Sequence, residues 1–189
     1  MIHPPYRIPA AWTAAELENH PDFHQHFSQQ DLQEIDSALH NCQQRNLQPS
    51  QITSSIFPLS TLRHKLEQWI DIVENGLGVI IINGLQTSRY SFDEQQLLCG
   101  IGAHLGITRP KSGMGEHIMT LQDEGYKLYT PNARGTNTHE KLDFHTDTCD
   151  MIAMLSLQNA ANGGESNLVS AVAIYNELYQ KSPELLKIL

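Results

Sequence analysis

The sequence predicts an α+β domain, and three observations lead to this fold class. Apolar residues recur at helical spacing in the segments 29–44, 60–76 and 91–106. Two short apolar runs, Val79–Ile82 and Met151–Leu157, are typical of buried strands. At 189 residues the chain is long enough for one domain with a substantial core, because a domain of this size buries roughly 70% of its unfolded surface.

The N-terminal region, residues 1–54, is predicted to form an arm followed by a helix. Its first 27 residues are rich in Pro, His and aromatic residues without clear periodicity, so they form either an ordered arm laid over a core or a loose tail. The helix follows at 29–44. Its apolar residues, spaced for one helical face, are Leu32, Ile35, Leu39 and Cys42.

The second helix is predicted to begin near Ser60 as its N-cap and to end at Gly76 or Gly78. The apolar face of this helix comprises Leu62, Leu66, Trp69, Ile70 and Val73.

Ser91 and Glu94 form a capping-box pattern that begins the third helix, and Gly106 ends it. Its inner face carries Leu97, Leu98, Ile101 and Leu105.

After Gly106 the sequence pattern is typical of loops and short strands. Candidate strands are 117–121, 127–129, 151–157 and 167–170. A helix is predicted from Ala171 to about Gln180, and Ser182-Pro183 has the pattern of a cap and first position of another helix.

The last residues, PELLKIL, begin an apolar amphipathic pattern that stops at once. Chain termini are usually polar and frayed. We therefore expect an interrupted domain, and the other interpretation is a short docked C-terminal helix.

Charge and composition exclude several functions. The chain carries 21 acidic against 12 basic residues, a formal net charge of −9, which disfavours binding to nucleic-acid backbones and to anionic membranes. The longest apolar stretch is far too short to span a membrane. The three cysteines are widely separated and form no C-x-x-C pair, and the N-terminus lacks a signal-peptide pattern. The sequence therefore predicts a cytoplasmic protein.

The strongest candidate for chemistry is Phe144-His145-Thr146-Asp147. On an extended backbone the side chains of His145 and Asp147 point to one side, with Cα atoms about 6–7 Å apart. A histidine and a carboxylate at this spacing supply two members of the 2-His-1-carboxylate triad that binds non-haem Fe(II). By itself the tripeptide is a weak signal, and a surface histidine beside a turn aspartate would have the same sequence.

Other histidines offer alternatives. His139 with Glu140 lies shortly before His145, and a zinc site made of His139, His145 and Asp147 would suit a hydrolase. His24 and His26 form an H-x-H pattern in the N-terminal arm.

Several segments together resemble the TauD/TfdA (taurine dioxygenase-like) family of Fe(II)/2-oxoglutarate-dependent oxygenases. They are FHTD at 144–147, a hydrophobic run, GGES at 163–166 and a helix containing YNEL at 175–178. Upstream, GLGVIIINGL at 76–85 and IGAHLGITRPKSGMGE at 101–116 agree with the same family. The similarity covers roughly residues 55–189, which we take as the N-terminal portion of such a domain.

The resemblance implies a partial double-stranded β-helix, or jelly roll of the clavaminate synthase-like type, with flanking helices. It implies that His145 and Asp147 bind Fe(II), and that Ser166, where the family has threonine, helps to bind 2-oxoglutarate. The implied reaction uses O₂ and 2-oxoglutarate to hydroxylate a C–H bond of a small-molecule substrate, releasing succinate.

The family's second iron-binding histidine and its 2-oxoglutarate-binding arginine belong to a stretch beyond this sequence. We therefore expect a truncated chain that is inactive by itself, with unpaired strands that favour self-association. A non-catalytic remnant or binding module of the same fold is the alternative.

Overall fold

The computed structural model describes residues 3–90, 93–109 and 117–188. Its regular elements in chain order are α1 (Ala14–Glu18), β1 (His24–His26), α2 (Gln29–Gln44), α3 (Leu62–Asn75), β2 (Ile81–Asn83), α4 (Glu94–Leu105) and α5 (Ala171–Lys181). Short 3-10 helices lie at Pro49–Gln51, Thr87–Tyr90 and Leu185–Lys187. The predicted cap Ser91 and part of the segment 101–116 lie outside the described residues.

The described chain divides into two compact units. The first comprises the described residues of 1–35, 59–85 and 168–189, and the second those of 36–58 and 86–167. No described helix is long and apolar enough to cross a membrane.

The first unit contains the sheet. Strands β1 and β2 pair in parallel, with His24 opposite Ile81 and His26 opposite Asn83. A small core of Leu17, Phe23 and Leu77 lies beside the sheet, with Trp12 packed against it. The N-terminal arm is therefore ordered, which agrees with the interpretation of an ordered arm rather than a loose tail.

The start of α3 is capped by a side chain from another helix. Thr61 and Leu62 each donate a backbone N–H to the Glu34 carboxylate at 2.8 Å. The structure therefore places the N-cap at Thr61 rather than Ser60, and Thr61 makes no side-chain capping bond. A carboxylate at this position satisfies two of the unpaired N–H groups and complements the helix dipole.

Asn176 connects the N-terminal arm to α5 by two reciprocal hydrogen bonds. Tyr6 donates its N–H to Asn176 Oδ1 at 2.8 Å, and Asn176 Nδ2 donates to the Tyr6 carbonyl at 2.8 Å. Ser170 caps α5 through the Ala173 N–H and also donates its hydroxyl to the Ala10 carbonyl. These bonds tie residues far apart in sequence into one unit.

In the second unit, α4 packs on Phe57, which is completely buried. Gly100 faces this ring so closely that any Cβ there would overlap it. His104 on the same helix bonds the Phe57 carbonyl at 2.7 Å. The contact explains why a residue without a side chain occupies the middle of a helix.

The predicted helices that correspond to α2, α3, α4 and α5 are confirmed, and most strand predictions are wrong. The apolar face predicted for α2 is buried at all four positions, and Gly76 and Gly106 end α3 and α4 as expected. The predicted strand at 79–82 is observed at Ile81–Asn83, but it is not buried as predicted, since Ile81 is exposed. The segments 117–121, 127–129, 151–157 and 167–170 are irregular where described.

These predicted strands are irregular because a strand needs a partner strand to pair with. Strand propensity reflects packing against neighbours more than a backbone preference. Residues 117–167 form bends, turns and irregular segments instead. Two backbone bonds connect distant parts of this region, from the Gln122 N–H to the Thr136 carbonyl and from the Glu124 N–H to the Asn137 carbonyl. The described residues thus contain one two-stranded sheet and do not display a double-stranded β-helix.

The helix predicted at Ser182-Pro183 is also wrong in form. Ser182 is the C-cap of α5, and in the described residues up to 188 a 3-10 turn at Leu185–Lys187 follows instead of a helix.

Candidate metal centre

His145 lies in an irregular, solvent-exposed segment. Its Nδ1 is 2.7 Å from the backbone carbonyl oxygen of Asp143. A carbonyl can only accept a hydrogen bond, so Nδ1 is the donor in this contact. Histidines that bind metals usually donate their other ring N–H to a carbonyl or carboxylate in this way. With Nδ1 bonded to the Asp143 carbonyl, Nε2 is the ring nitrogen left to contact a ligand.

Asp147 is also exposed and follows His145 by two residues. Ser166, the third predicted site residue, is exposed in the segment before α5. The glycines that precede it adopt left-handed backbone, with φ of 71° at Gly163 and 79° at Gly164. Residues without a Cβ adopt this left-handed backbone without strain, which suits glycine at both positions.

Within the described ranges, no three or more His, Cys, Asp and Glu side chains gather as a metal site. The zinc alternative of His139, His145 and Asp147 is therefore not assembled. His139 Nδ1 instead pairs with Asp123 Oδ2 at 3.0 Å. The Gly125 N–H, and after it His139, lower the pKa of Asp123 below its ordinary value.

Glu140, the other acidic neighbour, has a local structural role. Its carboxylate accepts the Leu128 backbone N–H, while its own N–H is bonded to the Thr138 hydroxyl. These bonds join the two ends of the loop that precedes His145. Sequence reasoning identified Asp143 only as a flanking acid, whereas the structure uses its backbone carbonyl.

A cavity of about 290 Å³ lies elsewhere in the second unit, lined by residues that include Ile52, Cys99, Ala103 and His117. Burial raises the pKa of the Cys99 thiol above its ordinary value. None of the predicted site residues lines this cavity, so it does not define their function.

The donor chemistry of His145 and Asp147 fits ferrous iron. A neutral imidazole presenting Nε2 and a carboxylate are two of the three donors in the 2-His-1-carboxylate arrangement. Among the residues that the structure describes, a third donor does not join them. His145 and Asp147 thus offer two of the three donors of such a site, and the described residues do not supply the third.

The comparisons with known proteins agree with this chemistry. Residues 43–189 match the model of the taurine catabolism dioxygenase TauD, TfdA family. The chain belongs to this family. The match includes His145, Asp147 and Ser166 and extends further upstream than the expected boundary near residue 55. TauD-family members are oxygenases that use Fe(II) and 2-oxoglutarate.

Two curated relatives align with nearly the whole chain. The FR-33289 synthase of Streptomyces rubellomurinus (strain ATCC 31215) is 30% identical over 179 residues, covering 94% of this chain and 53% of the relative. The taurine hydroxylase-like protein SAT17 of Stachybotrys chartarum (strain CBS 109288 / IBT 7711) is 29% identical over 187 residues, covering 95% of this chain and 49% of the relative. The chain thus spans about half the length of the curated relatives it matches.

Proposed function

We propose that this chain contributes His145 and Asp147 as Fe(II) ligands, and Ser166 as a 2-oxoglutarate contact, to an oxygenase that hydroxylates a small molecule. The observation that supports this most directly is the bond between His145 Nδ1 and the Asp143 carbonyl. This bond leaves Nε2 available for a metal. The exposed carboxylate of Asp147 follows two residues later, and both residues lie in the part of the chain that matches the family.

Each residue has a separate role in the proposal. His145 supplies a neutral nitrogen donor, while Asp147 supplies an anionic oxygen that offsets part of the charge of the cation. Ser166 supplies a hydroxyl that can donate a hydrogen bond to a carboxylate of 2-oxoglutarate. The bound iron, together with 2-oxoglutarate, would supply the activation of O₂ for C–H oxidation.

The remaining donors are proposed to come from outside the described residues. Two ligands hold a divalent cation less tightly than three, so we expect weak Fe(II) binding by the 189-residue chain and no turnover by the chain alone. The substrate is proposed to be a small molecule, as in the family generally.

Fe(II) binding tests the proposal without depending on turnover. Anaerobic equilibrium dialysis of the 189-residue chain should show Fe(II) retained by the wild type. His145→Ala and Asp147→Ala should each weaken this binding at least about tenfold, since even partners outside the ligand set cost 10–100-fold. Ser166→Ala should leave Fe(II) binding unchanged and weaken only the binding of 2-oxoglutarate to the iron-loaded chain.

His139→Ala is the matched control, because His139 is also exposed and also uses Nδ1, but in an ion pair with Asp123. It should leave Fe(II) binding unchanged. Equal loss in the His139 and His145 variants would favour the zinc-type ligand set. No effect of His145→Ala would overturn the proposal in favour of a non-catalytic binding module.

A further inference from the structure

The two histidines of β1 lie on the same exposed face of the sheet. His24 and His26 are both exposed, while Gln25 between them is half-buried and accepts a hydrogen bond from Trp69 Nε1 at 2.8 Å. Alternate residues of a strand point to opposite faces, so the two imidazoles share the face opposite α3. Their Cα atoms are about 6.6 Å apart along the strand.

The backbone that carries these histidines is held firmly. Ile81 donates its N–H to the Phe23 carbonyl at 2.8 Å, and Phe27 donates its N–H to the Asn83 carbonyl at 2.9 Å. Lys65 Nζ also donates to the His26 carbonyl. A pair of side chains on a fixed strand loses little freedom when both bind one ion, which favours chelation.

The surroundings of the pair suit a cation. In the described residues, neither His24 nor His26 has an ion-pair partner among those the structure shows. Asn83 Nδ2 lies 3.5 Å from His24 Nδ1 as the donor of this contact, which leaves Nε2 as the nitrogen of His24 available to a metal. The chain as a whole has a formal charge of −9, which raises the local concentration of cations.

We propose that His24 and His26 form a bidentate surface site for a borderline divalent metal such as Zn²⁺, separate from the Fe(II) ligands His145 and Asp147. Imidazole is a good ligand for Zn²⁺, Ni²⁺ and Cu²⁺, and affinities in such a site fall toward Fe²⁺. Water fills the remaining coordination positions. The site therefore binds Zn²⁺ more tightly than Fe²⁺.

Zn²⁺ titration calorimetry of the 189-residue chain tests this site. His24→Gln and His26→Gln should each weaken Zn²⁺ binding at this site at least about tenfold, and the double variant should lose little more, because one remaining imidazole cannot chelate. His40→Gln is the control, since His40 is a single exposed histidine whose ring bonds Gln44. Circular dichroism would establish that all variants keep the wild-type helix content.

The inference is overturned if both single variants bind Zn²⁺ as the wild type does, or if His40→Gln causes the same loss. The outcome is separable from the test of the iron ligands. His145→Ala should remove a different binding event and leave the β1 site intact, and the two losses should add when the variants are combined.

Discussion

At the scale of single residues, the contact between Tyr90 and Asp36 changes the pKa of a buried side chain. Tyr90 is 4% exposed and donates its hydroxyl to Asp36 Oδ1 at 2.6 Å, while Arg89 donates to Oδ2 at 2.6 Å. Burial, and then the bond to Asp36, raises the pKa of Tyr90 to about 12 from 10.0. The folded state therefore keeps the phenol proton more tightly than the unfolded state does.

Stability should depend on this tyrosine at alkaline pH. The contribution of Tyr90 is fully present below about pH 10 and is lost as the pH rises toward about 12, because the unfolded chain gives up its proton first. Tyr90→Phe should lower the free energy of unfolding by about 1.5 kcal/mol at neutral pH. Between about pH 10 and about pH 12, Tyr90→Phe should also lose less of its free energy of unfolding than the wild type does. Urea denaturation at a series of pH values would measure both effects.

Tyr129→Phe is the control, since Tyr129 is 97% exposed. A surface change of this kind alters stability by no more than about 0.5 kcal/mol. If both variants responded alike to alkaline pH, the Asp36 contact would not be the cause.

At the scale of elements, helix periodicity predicted α2, α3 and α4 well because each of these helices buries apolar residues of one face. The four apolar residues of α2 that share a face are buried, as are Leu62, Leu66 and Trp69 on α3. Cap positions were predicted less well. Glu34 caps α3 from a helix 27 residues earlier in the chain, which local sequence patterns cannot reveal. By contrast, the Thr13-x-x-Glu16 capping box of α1 was visible in the sequence and was missed.

Two glycines of α4 should respond to substitution in opposite ways. Gly100→Ala places a Cβ inside the Phe57 ring, and such overpacking of a buried site costs about 1–3 kcal/mol. Gly102→Ala meets no atom within 4 Å and should stabilise the helix by up to about 1 kcal/mol. Thermal unfolding monitored by circular dichroism would rank the variants. A similar change in melting temperature for both variants would mean that helix propensity alone determines the effect and that the Phe57 ring moves to make room.

At the scale of the whole molecule, burial is uneven along the chain. The buried apolar residues of the described part all come from positions 17–101, whereas 117–188 contribute many exposed ones. Among the exposed are Ile152, Met154 and Leu157, at 46%, 67% and 48% exposure. These belong to the segment predicted as a buried strand. A segment with an apolar composition and no partner is a surface for association.

We therefore expect the chain to self-associate as its concentration rises. Met154→Lys should shift the equilibrium toward monomer, because a charge in an apolar contact is costly to bury. Lys127→Glu is a control that changes charge elsewhere in the second unit and should have little effect. Sedimentation velocity over a range of concentrations would measure the association, and a monomer at all concentrations would contradict it.

The sequence by itself determined the helices and the candidate ligands. Helical faces follow from local spacing, and His145 and Asp147 follow from an H-x-D pattern set among segments that resemble one family. The tertiary structure decided which apolar runs are strands and which backbone group the His145 ring contacts. His24–His26 became a strand only because Ile81–Asn83, more than 50 residues later, pairs with it in parallel. The Asp143 carbonyl contacts the His145 ring through backbone geometry that residue identities do not specify. Strand pairing and this hydrogen bond depend on contacts between atoms, whereas periodicity depends only on the order of residues.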